Sequence, residues 1–290
     1  MIPPMIHMEA TEAMLNQNDH SRDSAGLTYV YPVISRRAGG VSVGINLNVN
    51  NACNWACLYC QVPNLTRGGP PPIDLKQLGD ELRTFLRDAT EGDFLEREAP
   101  PEARRLMDVA FSGNGEPTSA AEFGDAVALV ETVLREFSLL DTLKVRLITN
   151  GSLLHRDAVR RGIARIGALN GEAWFKIDRA SEAGINLVNG IRLEPERIRA
   201  SLLSCAELAP TWVQTCYFAL DGQEASAEEQ SAYLQLIGSA SEKIKGVHLY
   251  GLARPSLQPD AQRLSNLPLE NFQRFADKIS ALGIRVVANP

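Results

Sequence analysis

The chain of 290 residues lacks the long apolar segments that mark membrane proteins. No run approaches the ~18–20 apolar residues that a membrane-spanning helix needs. Residues 1–18 contain no Lys or Arg and no continuous apolar core, so we expect no secretory signal. No basic run is longer than two residues, and the net charge is −6. These absences predict a soluble, cytoplasmic protein that has no membrane partner and whose main substrate is not a nucleic acid.

Cysteine is scarce as well, and an odd total of five does not suit a disulfide framework. Three of the five, Cys53, Cys57 and Cys60, form a C-x3-C-x2-C motif. Three thiolates on one loop suit a soft metal centre in a reducing compartment. A [4Fe–4S] cluster that takes only three cysteines leaves one iron open for a cofactor or substrate. The alternative is a zinc site, which would need a distant His155 or His248 as its fourth ligand.

Strand-like and helix-like segments alternate along most of the chain. Residues 1–26 are polar and unpatterned and predict a flexible arm. Two strand-like runs, 27–35 and 41–49, flank a turn at 36–40 and predict a hairpin. The later strand-like segments lie near residues 107–112, 143–149, 172–177, 211–220, 245–250 and 284–288. The helix-like segments lie near residues 73–88, 119–137, 155–167, 194–209, 227–240 and 270–282.

This alternation predicts an α/β fold with a parallel sheet and helices outside it. We expect one domain over residues 27–290, a partial (β/α)6 TIM-like barrel of mostly parallel strands. The hairpin would be an N-terminal extension, and a further strand and helix would extend the C-terminal end. In such a barrel, reactive groups lie at the carboxyl ends of the strands.

Two predicted strand ends carry polar side chains on one face. A period of two places Lys176 with Asp178 and His248 with Tyr250. Polar pairs at these positions indicate either an active site or the wet face of an edge strand. For Lys176 and Asp178, an internal ion pair is a further alternative.

The cysteine loop, with Tyr59 directly before the last cysteine, resembles the signature of the radical S-adenosylmethionine (radical SAM) superfamily. Two later segments, SGNGEPT at 112–118 and LITNGS at 147–152, follow consecutive predicted strands. They resemble the glycine–glycine–glutamate and T-N-G segments of that superfamily. Together with FKIDRA at 175–180, they look most like the wyosine tRNA synthases and related Fe–S oxidoreductases. The resemblance covers residues 41–255.

The resemblance implies a [4Fe–4S] cluster on the three motif cysteines, with SAM on the open iron. The residues implied to contact SAM are Tyr59, which would stack on adenine, and Gly113, Asn114, Gly115, Glu116, Thr149, Asn150 and Ser152. Glu116 would bind the methionyl ammonium, and the two glycines would let the backbone approach it. The residues predicted to line the substrate side as catalytic groups are Lys176, Asp178, His248, Tyr250 and Arg254.

In the mechanism that the resemblance implies, an electron donor such as flavodoxin or ferredoxin reduces the cluster, and a C–S bond of SAM breaks. We expect a 5′-deoxyadenosyl radical that acts on a small-molecule substrate. Alternatives stay open: a tRNA substrate, a 3-amino-3-carboxypropyl radical, or a non-catalytic metal-binding module. Archaeal wyosine synthases have three further cysteines upstream of the motif, which residues 1–52 lack. Cys205 and Cys216 are interpreted as buried free cysteines, and the alternative is that they ligate part of an auxiliary cluster.

Overall fold

The computed structural model describes residue 15, residues 26–35 and residues 39–290. The predicted arm at 1–26, apart from Leu15 and Gly26, and the centre of the predicted turn at 36–38 lie outside the described residues.

Twelve strands and eight α-helices make up the described part of the chain. The strands are β1 Val30–Ser35, β2 Gly40–Asn46, β3 Ala52–Cys53, β4 Thr66–Arg67, β5 Leu106–Ser112, β6 Lys144–Thr149, β7 Glu172–Lys176, β8 Thr211–Cys216, β9 Ala219–Leu220, β10 Gly246–Tyr250, β11 Leu264–Ser265 and β12 Val286–Asn289. The α-helices are α1 Leu75–Glu91, α2 Phe94–Glu98, α3 Phe123–Glu136, α4 Asp157–Ala168, α5 Glu182–Asn189, α6 Pro195–Leu208, α7 Ala227–Gly238 and α8 Leu269–Ser280. Among these helices, none is both long and apolar enough to cross a membrane.

Eight strands form one sheet in the order β1-β2-β5-β6-β7-β8-β10-β12. β1 runs antiparallel to β2, and the other neighbours pair in parallel. Helices connect each parallel strand to the next, which gives six crossovers. In the described residues, β1 and β12 occupy opposite edges of the sheet, so the barrel is open. The predicted partial TIM-like barrel with an N-terminal hairpin is confirmed.

The two faces of the sheet differ sharply in polarity. The face under the helices is apolar, as shown by Val43, Val109, Phe111 and Leu147, each fully buried. The next residues along the same strands point to the inside of the barrel and are polar in several places, such as Asp108 on β5. An apolar outer face anchors the sheet to the helices, while the inner face is left to form a cavity.

Helix α5 was not expected from the sequence. It has only eight residues, so it offers two turns of periodicity, too few for a clear amphipathic pattern. Its ends nevertheless carry ordinary signals: Ser181 caps the start by accepting from the backbone N–H of Gly184, and Gly190 ends it with φ +64°. The expected strand at 211–220 also ends early, at Cys216.

Candidate active site at the cysteine loop

A cavity of about 320 Å³ opens at the carboxyl ends of the parallel strands. The loop between β2 and α1, which carries the three motif cysteines, forms one wall. The sequence-predicted site residues that line the cavity are Cys53, Cys57, Tyr59, Cys60, Gly113, Asn114, Gly115, Glu116, Asn150, Lys176, Tyr250 and Arg254. Thr149, Ser152, Asp178 and His248 are not among the lining residues. The fold thus brings most of the predicted site together, from five separate segments.

The three motif cysteines are reduced and partly buried. The backbone N–H of Trp55 donates to Cys53 Sγ at 3.4 Å, and Asn189 Nδ2 donates to Cys57 Sγ at 3.3 Å. Burial raises the pKa of Cys53 to about 11 and that of Cys57 to about 12. These thiols therefore stay protonated at neutral pH until a metal displaces their protons.

The donor set fits an iron–sulfur cluster better than a single zinc ion. Within the described ranges, no group of three or more His, Cys, Asp or Glu side chains is arranged to hold a single metal ion. His155 is exposed and contacts the carbonyl of Ser152 at 3.2 Å, and His248 stacks on Trp212 with ring centroids 4.5 Å apart. Neither histidine supports the zinc alternative. Three thiols without a fourth protein ligand in the described residues suit a cluster with an open iron.

The glycines of the 112–118 loop are required by contacts within the protein. A Cβ on Gly113, whose φ is +124°, would lie 2.5 Å from Asn46 Oδ1. A Cβ on Gly115 would lie 2.2 Å from the carbonyl oxygen of Ala52. Since Ala52 directly precedes the first motif cysteine, Gly115 allows the loop to pack against the cysteine loop. The sequence had suggested a ligand as the reason for these glycines, whereas the contacts in the structure are with β2 and the cysteine loop.

Glu116 holds two loops together. Its Oε1 accepts from Thr149 Oγ1 at 2.7 Å and from both the backbone N–H and the hydroxyl of Thr118, while Oε2 accepts from the backbone N–H of Asn150 at 2.7 Å. Burial raises the pKa of this carboxyl, although these hydrogen bonds oppose the shift. Oε1 accepts three of these hydrogen bonds and Oε2 only one, so Oε2 keeps acceptor capacity for a ligand. Glu116 therefore links two loops, and because it also lines the cavity, its contact with SAM stays a prediction.

A triangle of polar side chains ties the T-N-G segment to the cysteine loop. Asn54, between the first two motif cysteines, donates from Nδ2 to Ser152 Oγ at 2.7 Å and accepts at Oδ1 from Asn150 Nδ2 at 2.8 Å. The hydroxyl of Ser152 donates to Asn150 Oδ1, also at 2.7 Å. The hydroxyl groups of Thr149 and Ser152 thus form hydrogen bonds within the protein, and neither residue lines the cavity.

Tyr59 and Lys176 meet at the wall of the cavity. Lys176 Nζ lies 4.9 Å from the Tyr59 ring centroid and donates to Tyr250 Oη at 3.2 Å. The Tyr59 ring also packs against Phe218, with centroids 5.7 Å apart. Burial alone would lower the pKa of Lys176, but the nearby Tyr250 and Asp178 outweigh it and raise the pKa. The expected adenine-stacking face of Tyr59 is thus shared with an ammonium group.

Asp178 lies behind this wall, 3% exposed. Its Oδ2 accepts from the hydroxyl of Tyr59 and from Asn189 Nδ2 at 2.8 Å, and its Oδ1 accepts from the backbone N–H of Cys216 at 2.9 Å. Asp178 thus accepts three hydrogen bonds within the protein and does not line the cavity. Its catalytic role stays a prediction. Asn189 was missed altogether, because it lies on the unexpected helix α5.

His248, also expected to be catalytic, packs between two tryptophans. Its ring lies between Trp174 and Trp212, at 4.7 and 4.5 Å between centroids. This aromatic packing explains why a polar side chain can be buried there without reaching the cavity.

The floor of the cavity contains a buried ionic cluster that was not predicted. Arg146 on β6 donates to Asp108 and, at 2.7 Å, to Glu172. Burial raises the pKa of Asp108 despite Arg146. For Glu172, the hydrogen bond and charge of Arg146 outweigh burial and lower the pKa. The signal was present in the sequence KVRLIT of β6, where charged and apolar residues alternate.

The two remaining cysteines are free and buried. Cys205 accepts a hydrogen bond from Thr211 Oγ1 at 3.5 Å inside the packing of α6 against the sheet, and burial raises its pKa to about 11. Cys216 is the last residue of β8 and lines the cavity. The two thiols therefore belong to different environments.

Comparison with solved structures places this architecture among known enzymes. A radical SAM methyltransferase from Sphaerobacter thermophilus superposes with a TM-score of 0.60 at 15% identity, over 90% of this chain and 68% of the other. TYW1 with a lysine-pyruvate adduct bound gives 0.57 at 15% identity, over 83% and 73%. SuiB of Streptococcus suis, bound to S-adenosylmethionine, gives 0.52 at 12% identity, over 87% and 47%. The chain has the fold of radical SAM enzymes. The resemblance inferred from the cysteine loop is confirmed at the level of the fold.

Sequence comparison adds little to this. No family model matches the chain. A segment of 147 residues is 27% identical to the GTPase Obg of Brachyspira hyodysenteriae. The aligned segment covers 51% of this chain and 19% of that protein. The chain thus spans about one fifth of the curated relative that it matches. Its 290 residues contain no G-x4-G-K-[ST] motif, the loop that cradles nucleotide phosphates.

Proposed function

We propose that the protein is a radical SAM enzyme that holds one [4Fe–4S] cluster on Cys53, Cys57 and Cys60. It cleaves SAM to form a 5′-deoxyadenosyl radical, which acts on a small-molecule substrate. The observation that carries this proposal is the position of the C-x3-C-x2-C loop at the mouth of the barrel cavity, in the fold of radical SAM enzymes. An external reductant of the flavodoxin or ferredoxin type would supply the electron.

When bound, the cluster and SAM supply the electron transfer and the radical chemistry. The chain supplies geometry. The hydrogen bonds of Asn54 to Asn150 and Ser152 fix the first half of the cysteine loop against β6. Lys176 presents an ammonium group and Tyr250 a phenol to the cavity, where both can orient polar groups of a ligand. The helices around the sheet and the packed outer face keep water from the other side of the barrel.

The cavity and the surface support a small-molecule substrate over tRNA. The arginines of α4, which would form a basic patch, are partly engaged within the protein: Arg165 pairs with Glu131 at 2.6 Å, and Arg160 donates to Ser204. The cavity of about 320 Å³ would also hold the cluster and SAM, so it leaves space only for a compact substrate group. Binding of tRNA that is salt-dependent and tighter than the ~10⁻⁴–10⁻⁶ M of non-specific contacts would contradict this part of the proposal.

Anaerobic reconstitution with iron and sulfide, followed by SAM and dithionite, tests the proposed chemistry. Chromatography should show 5′-deoxyadenosine as the nucleoside product. The variant with Cys53, Cys57 and Cys60 all changed to Ala is the control and should lose the brown chromophore, most of its iron and all SAM cleavage. Methylthioadenosine as the main product would mean that the other C–S bond breaks. Retention of zinc without iron or sulfide in anaerobically purified protein would refute the cluster.

A further inference from the structure

Asn189, the last residue of α5, makes a contact between that helix and a motif cysteine. Its side chain is almost completely buried, at 1% exposure. Nδ2 donates one hydrogen to Cys57 Sγ at 3.3 Å and the other to Asp178 Oδ2 at 2.8 Å. Both amide hydrogens are therefore committed, one of them to a sulfur atom at the mouth of the cavity.

Asp178 fixes which way this amide points. An ionised carboxylate only accepts hydrogen bonds, so a flipped Asn189 would set its oxygen against the carboxylate. Asp178 is itself held in place, because it also accepts from the hydroxyl of Tyr59 and the backbone N–H of Cys216. The N–H of Asn189 thus faces Cys57 as a consequence of a network that leaves no alternative orientation.

The backbone of α5 is attached to the same loop. The backbone N–H of Ala56 donates to the carbonyl of Asn189 at 3.0 Å, and the N–H of Leu58 donates to the carbonyl of Val188 at 2.8 Å. These bonds flank Cys57 on both sides. Arg67 adds a further link by donating to the carbonyls of Asn54 and Gly190. The distance between the Asn189 amide and Cys57 is therefore set by rigid connections.

We propose that Asn189 is a positioning residue that holds Cys57 and stabilises the reduced form of the cluster through its N–H···S hydrogen bond. This inference rests on the proposed function and assigns a role in it to a residue outside the cysteine motif. A reduced cluster carries one more negative charge, and a hydrogen-bond donor to a ligating sulfur stabilises that charge. Removal of the donor makes reduction by the same external reductant harder.

Redox titration followed by electron paramagnetic resonance tests this in the full chain, reconstituted anaerobically without SAM. Asn189→Leu removes the donor at similar volume, and Asn189→Ala removes it and leaves space. At a fixed potential, we expect both variants to show about a tenfold lower ratio of reduced to oxidised cluster, which is ~59 mV for one electron. Asn186→Ala is the matched control, because Asn186 is exposed on the same helix.

Each result decides a separate point. Equal potentials in wild type, Asn189→Leu and Asn189→Ala, with full iron content, would overturn the inference while leaving the proposed function intact. A wild-type protein that takes up no iron would refute the proposed function itself. A third result is that both Asn189 variants keep their helix content but lose iron that the Asn186 variant retains. That result would support the role of Asn189 in positioning Cys57. A shift of the reduction potential in Asn189→Ala but not in Asn189→Leu would assign the effect to the cavity left by alanine. It would contradict the role of the hydrogen bond.

Discussion

The structural role of Glu116 can be separated from a ligand-binding role by a stability measurement. The Glu116→Ala variant leaves two buried backbone N–H groups, those of Thr118 and Asn150, without their acceptors. Each unsatisfied buried donor costs about 1–3 kcal/mol, so the free energy of unfolding should fall by about 2–6 kcal/mol. Glu116→Gln keeps one acceptor oxygen but turns an amide N–H₂ toward one of the two N–H groups, and it should cost about 1–3 kcal/mol.

The assay is urea unfolding of the cluster-free protein, followed by circular dichroism. Without iron and SAM, a contact with a ligand contributes nothing, so any loss must come from the protein's own hydrogen bonds. Glu136→Ala is the control: this carboxylate is partly exposed and pairs only with Arg83 among the described residues, and such pairs contribute about 0–1 kcal/mol. If both Glu116 variants unfold at the wild-type urea concentration, the role of Glu116 as a link between the two loops is wrong.

Two further substitutions test the floor and the mouth of the cavity. Arg146→Met removes the cation shared by Asp108 and Glu172, which leaves the buried Asp108 without an ion-pair partner in the described residues, while Glu172 keeps Lys144 at 3.3 Å. It should lower the free energy of unfolding by about 3–5 kcal/mol in the same urea assay. Gly115→Ala should prevent normal uptake of iron, measured after anaerobic reconstitution, because its methyl group would meet the carbonyl of Ala52 at 2.2 Å and push the cysteine loop away.

Controls for these two changes are available in the same chain. Arg165→Met removes an arginine from a more exposed ion pair with Glu131 and should cost no more than about 1 kcal/mol. Gly124→Ala adds a methyl group 3.8 Å from the nearest atom, the carbonyl oxygen of Ala158, and neither Gly124 nor Gly115 has a positive φ, so it tests the loss of a glycine without a clash. A wild-type unfolding curve for Arg146→Met, or full iron content for Gly115→Ala, would contradict the contacts described for the cavity.

The sequence predicted the barrel because its strands and helices are long enough to show their periods. The cysteine loop was recognisable from spacing alone, and the strand ends at Ser112 and Thr149 were correctly placed beside it. Helix α5 has two turns and carried too little periodicity. Its capping residues, Ser181 and Gly190, were the available signal, and they would have placed Asn189 at a helix end between strands β7 and β8.

Residue type at a strand end indicated the location of the site better than it indicated the role of each residue. Glu116 and Asp178 are the types of side chain that bind ligands, yet each is surrounded by protein donors that use its oxygens. Which donors surround a carboxylate depends on contacts between segments far apart in the sequence, and no local pattern contains that information. Lys176, in contrast, has a single hydrogen-bond partner, Tyr250, within the described part of the chain. An ammonium group with unused hydrogens at a cavity wall is free to orient a ligand.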